Sequence, residues 1–128
     1  MDPKKILIVD DDLLSIATIS QTLLRNGYQV MHAEDEDRAI RATKKSRPDL
    51  IICNAESKKL DAHQLLKTMQ QAPQTRGIPF LFITESQEPV HKEAGIIGPR
   101  QYLTRPFTRE QLAIAVQENL KRAQARRK

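Results

Sequence analysis

Three runs of four consecutive apolar side chains, Ile6–Val9, Leu50–Cys53 and Phe80–Ile83, constrain the fold of this chain more than any other feature. None of them alternates with polar residues, as a strand with one wet face would, so each reads as a strand covered on both sides. Lys5 extends the first and Pro79 the third of these runs, and Gln29–Ala33 and Arg100–Leu103 are two further extended segments bounded by turn or polar residues. Between the strands lie stretches of helix length. In the first, Ile16, Ile19, Leu23 and Leu24 recur at helical spacing. Asn26-Gly27 supplies its stop, because glycine enters the left-handed conformation without a Cβ clash. The second helix is expected from about Asp35 to Ser46 and the third from about Asp61 to Gln71. The last begins at Thr108, where Gln111 has capping-box spacing and Leu112, Val116 and Leu120 fall on one face. Pro89, Gly95, Gly98 and Pro99 break up the stretch after Thr84, so the helix there is expected to be short or irregular.

Five strands alternating with five helices predict an α/β fold, a doubly wound parallel sheet with helices on both faces. At 128 residues and 39% apolar content the chain suffices for one core. No apolar run approaches the roughly 20 residues that span a bilayer. The opening Met-Asp-Pro-Lys-Lys carries no hydrophobic leader or cleavage site, and a cytoplasmic location is expected. A lone cysteine, Cys53, rules out an internal disulfide and a zinc-binding cysteine cluster, and its apolar neighbours predict a buried thiol.

The net charge of +5 is concentrated at one end. Five of the 21 Lys and Arg residues (Lys121, Arg122, Arg126, Arg127 and Lys128) lie in residues 121–128, which leaves 16 basic against 16 acidic side chains in residues 1–120. The expected division is a globular unit over 1–120 and a basic tail or start of a linker over 121–128. Clustered Lys and Arg attract nucleic-acid phosphates. The tail has no interleaved aromatic residues, however, and a nucleic-acid role is disfavoured.

Ligands of a doubly wound sheet gather beyond the carboxyl ends of its strands. Those ends carry Asp10, Asp11 and Asp12, then Asn54 and Glu56, then Thr84 and Glu85, then Thr104-Arg105-Pro106. Adjacent carboxylates repel and call for a cation, either a hard metal ion or a basic side chain such as Arg105. Capping of the first helix accounts for one of the three acids but not for all. His32, His63 and His91 are far apart and have no metal-ligand spacing.

The segments ILIVDDD (6–12), PDLIICN (48–54), FLFIT (80–84) and GPRQYLTRPF (98–107) resemble the four signature blocks of bacterial response-regulator receiver domains, in order and spacing from about Lys4 to Leu120. The resemblance implies a flavodoxin-like (βα)5 fold with strand order 2-1-3-4-5. It also implies a role in two-component phosphorelay signalling rather than as an enzyme. By the same resemblance Asp10 and Asp11 are the acidic pair that organises magnesium, with the backbone carbonyl of Glu56 as a further ligand. Asn54 stands at the phosphoacceptor position, Thr84 at the hydroxyl that contacts the phosphoryl group, and Tyr102 at the switch aromatic. Arg105 takes the place of the family's lysine, and Arg105-Pro106 matches a bond that is commonly cis.

The departures from the family pattern set the functional expectation. An amide oxygen is a poor nucleophile and brings no charge to a metal, so Asn54 removes both the attacking group and an anionic ligand. The guanidinium of Arg105 prefers forked contacts with carboxylates and is expected to lie across Asp10 and Asp11, filling the metal site. The loop after the third strand reads Ser57-Lys58-Lys59 and Leu60-Asp61-Ala62 where the family usually has Pro and Gly. The expectation is therefore a pseudo-receiver that requires no cofactor, with magnesium binding weakened or lost. Its partners would be signalling proteins, a histidine kinase or an output domain. They would meet the surface formed in receivers by the fourth helix, fifth strand and fifth helix, about Glu88 to Leu120, including Tyr102, Arg105, Pro106 and Phe107. A weak homodimer through the same surface is compatible with this. Thr84 and Tyr102 read either as a surviving two-state switch or as residues that simply fill their places. The alternatives are phosphorylation control through an altered site and nucleic-acid binding by the tail.

Overall fold

The computed structural model describes residues 3–85 and 101–126. Five strands, β1 (Lys5–Val9), β2 (Gln29–Ala33), β3 (Leu50–Asn54), β4 (Phe80–Thr84) and β5 (Tyr102–Thr104), form one sheet in the order β2-β1-β3-β4-β5. Every neighbouring pair is parallel. The helices among the described residues are α1 (Leu13–Arg25), α2 (Glu36–Lys45), α3 (Ala62–Gln71) and α4 (Arg109–Arg126). The expected helix after Thr84 falls within 86–100, outside the described residues. No helix among the described residues is long and apolar enough to cross a membrane.

Alternation along the buried strands generates two cores, because successive side chains of a strand point to opposite faces. Leu7, Val9, Ile51, Cys53, Phe80 and Phe82 pack on one face with Ala39 of α2 and Leu65, Leu66 and Met69 of α3. Ile6, Ile8, Leu50, Ile52, Leu81 and Ile83 pack on the other with Ile16, Ile19 and Leu23 of α1 and Leu112 and Val116 of α4. The unbroken apolar runs of β1, β3 and β4 are thus explained: both faces of these strands are dry.

Local chemistry sets the helix boundaries. Asp12, Asp35 and Asp61 each turn a side-chain oxygen back to a backbone N–H of the first turn, satisfying a donor that the helix leaves without a partner. The capping box at the start of α4 is reciprocal: Gln111 N donates to Thr108 Oγ1 (3.0 Å) and Thr108 N donates to Gln111 Oε1 (2.8 Å). After α1, Gly27 takes φ +86°, which lets its N–H reach the Leu24 carbonyl and the Tyr28 N–H the Leu23 carbonyl.

The last strand departs from the expectation of Arg100–Leu103. It begins at Tyr102 and ends at Thr104, because its register is set by pairing Ile83 with Leu103 and Thr84 with Thr104 rather than by its own weak apolar pattern. Arg100 lies outside the described residues. The end of α4 takes up Lys121 and Arg122, and Ala123 still packs against the body of the molecule.

Candidate functional site

Parallel register aligns the strand tips. Val9 pairs with Cys53, Asn54 with Ile83 and Thr84 with Thr104, so Asp10, Asn54 and Thr84 emerge side by side where the apolar runs stop. All three are deeply buried, with exposures of 1%, 8% and 2%. Polar groups at that depth are costly unless hydrogen-bonded, and here they satisfy one another. Asp10 Oδ1 accepts from Asn54 Nδ2 at 3.1 Å and from the Asp12 N–H at 3.0 Å. Asn54 Oδ1 accepts from the Glu56 N–H at 2.9 Å. These partners fix the amide orientation, since the flipped amide would set oxygen against Asp10 and nitrogen against an N–H donor.

Arg105 enters from the tip of β5. Its N–H donates to the Thr84 carbonyl (2.8 Å), and the cis Arg105-Pro106 bond follows immediately, as the sequence led us to expect. Its Nη2 donates to Ser15 Oγ at 2.6 Å and lies 3.8 Å from Asp10 Oδ2. The guanidinium therefore reaches Asp10 but not Asp11, because Ser15 in the first turn of α1 takes part of the fork. Among the described residues Asp11 is half-buried and joins no hydrogen bond or ion pair. Asp12 caps α1 through Leu14 N, so one of the three acids has the structural role foreseen for it.

On the other side of Asn54, the Thr84 hydroxyl donates to Glu56 Oε1 at 2.7 Å. Sequence reasoning foresaw neither the contact of the Glu56 side chain with Thr84 nor a role for Ser15. Both contacts depend on side chains crossing between elements, and no motif spacing encodes them. Beneath this layer Tyr102 packs on Phe82 (ring centroids 5.9 Å apart), which in turn meets Phe80 (5.6 Å) and His63 (6.2 Å). Burial raises the Tyr102 phenol pKa. It also pushes the Cys53 thiol well above its ordinary range, and the negative charges of Asp10 and Asp61 add to the effect. Cys53 is a fully buried neutral thiol, not a nucleophile. His32 is exposed and His63 half-buried, while His91 lies outside the described residues. Among the described residues no group of three or more His, Cys, Asp or Glu converges as a metal cluster would.

An acid, an amide and a hydroxyl thus stand at three adjacent strand tips, with a cis X-Pro bond at the fourth. Residues 6–117 match the family described as the response regulator receiver domain. The chain belongs to that family. The receiver is 32% identical over 122 residues to the alkaline phosphatase synthesis transcriptional regulatory protein PhoP of Bacillus subtilis, covering 94% of this chain and 50% of that protein. It is 28% identical over 109 residues to protein PilH of Pseudomonas aeruginosa, covering 84% of this chain and 90% of that one. Among solved structures, the chemotaxis response regulator CheY4 of Vibrio cholerae superposes with a TM-score of 0.82 at 29% identity, covering 91% of this chain and 98% of that one. The receiver spans about half the length of several curated relatives it matches, including the phosphate regulon regulators PhoB.

Of the expected partner surface, the described part is the tip of β5 and one side of α4. Tyr102, Thr104, Pro106, Ile114 and Glu118 line a shallow concavity of about 490 Å³. Pro106 is exposed, Phe107 is half-buried against the α1/α4 core, and Ile114 keeps 54% of its surface in water.

Proposed function

We propose that this receiver acts in two-component signalling as a phosphorylation-independent pseudo-receiver, a binding module and not an enzyme, working in the cytoplasm through protein contacts. The observation that carries this reading is the state of Asn54. Its amide donates to Asp10 and its carbonyl accepts from the Glu56 N–H, so both ends of the side chain are engaged in holding strand tips together. An amide so placed has no charged oxygen with which to attack phosphorus.

The donor set also argues against a magnesium site of the ordinary receiver kind. Asp10 Oδ1 already accepts two hydrogen bonds, and its Oδ2 faces the Arg105 guanidinium at 3.8 Å. Position 54 contributes no anion. A hard dication prefers several carboxylate oxygens, and here a fixed organic cation stands over the carboxylate that would hold it. Asp10, Asp11 and the Glu56 carbonyl accordingly no longer form a working metal site, and no step of the proposed function passes through a metal.

Binding would use the family's partner face, represented by Tyr102, Arg105, Pro106 and Phe107 and the adjoining side of α4, with a histidine kinase or an output domain as partner. Glu88 to Arg100 of that face lie outside the described residues. Residues 1–120 form the receiver unit on this reading, and 121–128 the basic tail or start of a linker.

The test is an NMR titration with magnesium and then beryllofluoride, an aspartyl-phosphate mimic, on the unaltered chain and on Asn54→Asp. The unaltered chain is expected to give no saturable shifts at Asp11, Asn54 or Thr84. Saturable binding of beryllofluoride there by the unaltered chain would sink the reading.

A further inference from the structure

Thr84 connects the site to the rest of the molecule. Its hydroxyl donates to Glu56 Oε1 (2.7 Å), its carbonyl accepts from Arg105 N (2.8 Å), and it pairs in register with Thr104 at the tip of β5. Two residues back along each strand, Phe82 pairs with Tyr102 and their rings lie 5.9 Å apart. Whatever the Thr84 hydroxyl binds therefore bears on the strand pair that carries Tyr102.

The partner that the structure gives this hydroxyl is an anion from the chain itself. Glu56 reaches it from a loop, and the same residue's N–H is held by Asn54 Oδ1. A continuous path of hydrogen bonds thus runs from Asp10 through Asn54 and Glu56 to Thr84, joining the tips of β1, β3 and β4. Charge explains why the path can close. With a carboxylate at position 54, the Glu56 side chain would approach Thr84 past two acids, and like charges at such separations oppose one another strongly when water is scarce. The neutral amide of Asn54 removes one of those charges, and the carboxylate of Glu56 restores a negative group two residues later.

We propose that Glu56 is a positioning residue whose carboxylate occupies, from within the chain, the place on the Thr84 hydroxyl that an incoming phosphoryl oxygen would take. Asn54 and Glu56 then act as a pair: the first removes the acceptor and the second fills the anion position. The inference rests on the reading of Thr84 as the phosphate-site hydroxyl. It assigns the chain a built-in occupant of that site, so that the Thr84–Tyr102 side is held in one arrangement without any phosphodonor. It also implies that an acceptor carboxylate alone would not restore full anion binding, because Glu56 competes for Thr84.

The experiment compares NMR spectra of the full chain, Glu56→Ala and Glu56→Gln, with Thr84 methyl and Tyr102 ring signals as readouts and thermal denaturation as the check on folding. Glu56→Ala is expected to move both sets of signals, and Glu56→Gln, which can still accept a hydrogen bond, to move them less. Unmoved Thr84 and Tyr102 signals in a folded Glu56→Ala chain would overturn the proposal. A second arm titrates magnesium with beryllofluoride into Asn54→Asp and into Asn54→Asp/Glu56→Ala. The double variant is expected to bind roughly ten-fold more tightly, the scale of one removed like-charge competitor. Equal affinity of the two variants would count against Glu56 as the occupant. Both arms are independent of whether the unaltered chain binds beryllofluoride, so failure here is distinguishable from failure of the pseudo-receiver reading.

Discussion

The two sides of Asn54 are built differently. Toward β1, its amide meets a carboxylate that is 1% exposed and itself lies beneath Arg105, so the contact is enclosed by three strands and the first turn of α1. Toward β4, the link to Thr84 is made by Glu56, an exposed loop residue that reaches inward with one carboxylate oxygen. The enclosed side is a condition of folding, since each of its polar groups would be stranded without the others. The loop side is adjustable, because Glu56 can be rehydrated at little cost. The two sides of a single residue thus differ in kind, one enclosed by the fold and one open to water.

Thiol labelling is the sharpest way to break this contrast. Cys53 sits directly below the enclosed side and its pKa is raised by burial, with Asp10 and Asp61 adding. At about pH 8, labelling in the native chain is expected to be slower than in the denatured chain by about three orders of magnitude, limited by opening of the fold. Rapid native labelling would mean that the enclosed side is not closed.

Next in size is the difference between two truncations. Asn54→Ala leaves the Asp10 carboxylate short of a donor and should cost about 2 kcal/mol in urea denaturation. Glu56→Ala should cost less than about 0.5 kcal/mol, as for other exposed side chains. A reversed order would overturn the assignment of the two sides.

The alkaline limb of stability gives a smaller effect with a definite sign. The folded-state pKa of Cys53 is raised, as are those of Tyr28 and Tyr102, all mainly by burial. The unfolded chain therefore releases these protons first, the thiol at about 8.5 and the phenols at about 10. Stability is fully present below those values and falls as pH rises past them. Cys53→Ala should remove the earlier part of the fall, while Glu56→Ala should leave it unchanged. The smallest expected effect is the coupling between Glu56→Ala and Thr84→Val in a double-mutant cycle, about 0.3 kcal/mol, because the Glu56 carboxylate is exposed and water screens its hydrogen bond.

Most of the fold was legible in the sequence because its determinants are local or periodic. The apolar runs of β1, β3 and β4 declare two dry faces, and Asp35, Asp61 and Thr108 with Gln111 declare helix starts through contacts within one turn. β5 was misplaced because an edge strand of three residues takes its bounds from its neighbour. The convergence of Asp10, Asn54, Thr84 and Arg105 was legible too, since strand tips of a parallel sheet meet by construction. What could not be read was the choice of partner. That Arg105 settles on Ser15 and Asp10 and leaves Asp11, and that Glu56 turns its carboxylate to Thr84, depends on side-chain directions that only the assembled tips define.

The alternation of β1, β3 and β4 into two opposed cores has a further consequence for how such a protein can diverge. Inserting or deleting one residue within a strand would exchange the side chains of its two faces and unmake both cores at once. Changing the residue at a tip disturbs neither. The chemistry carried by the tips can therefore change by single substitutions while the strand bodies keep both cores intact.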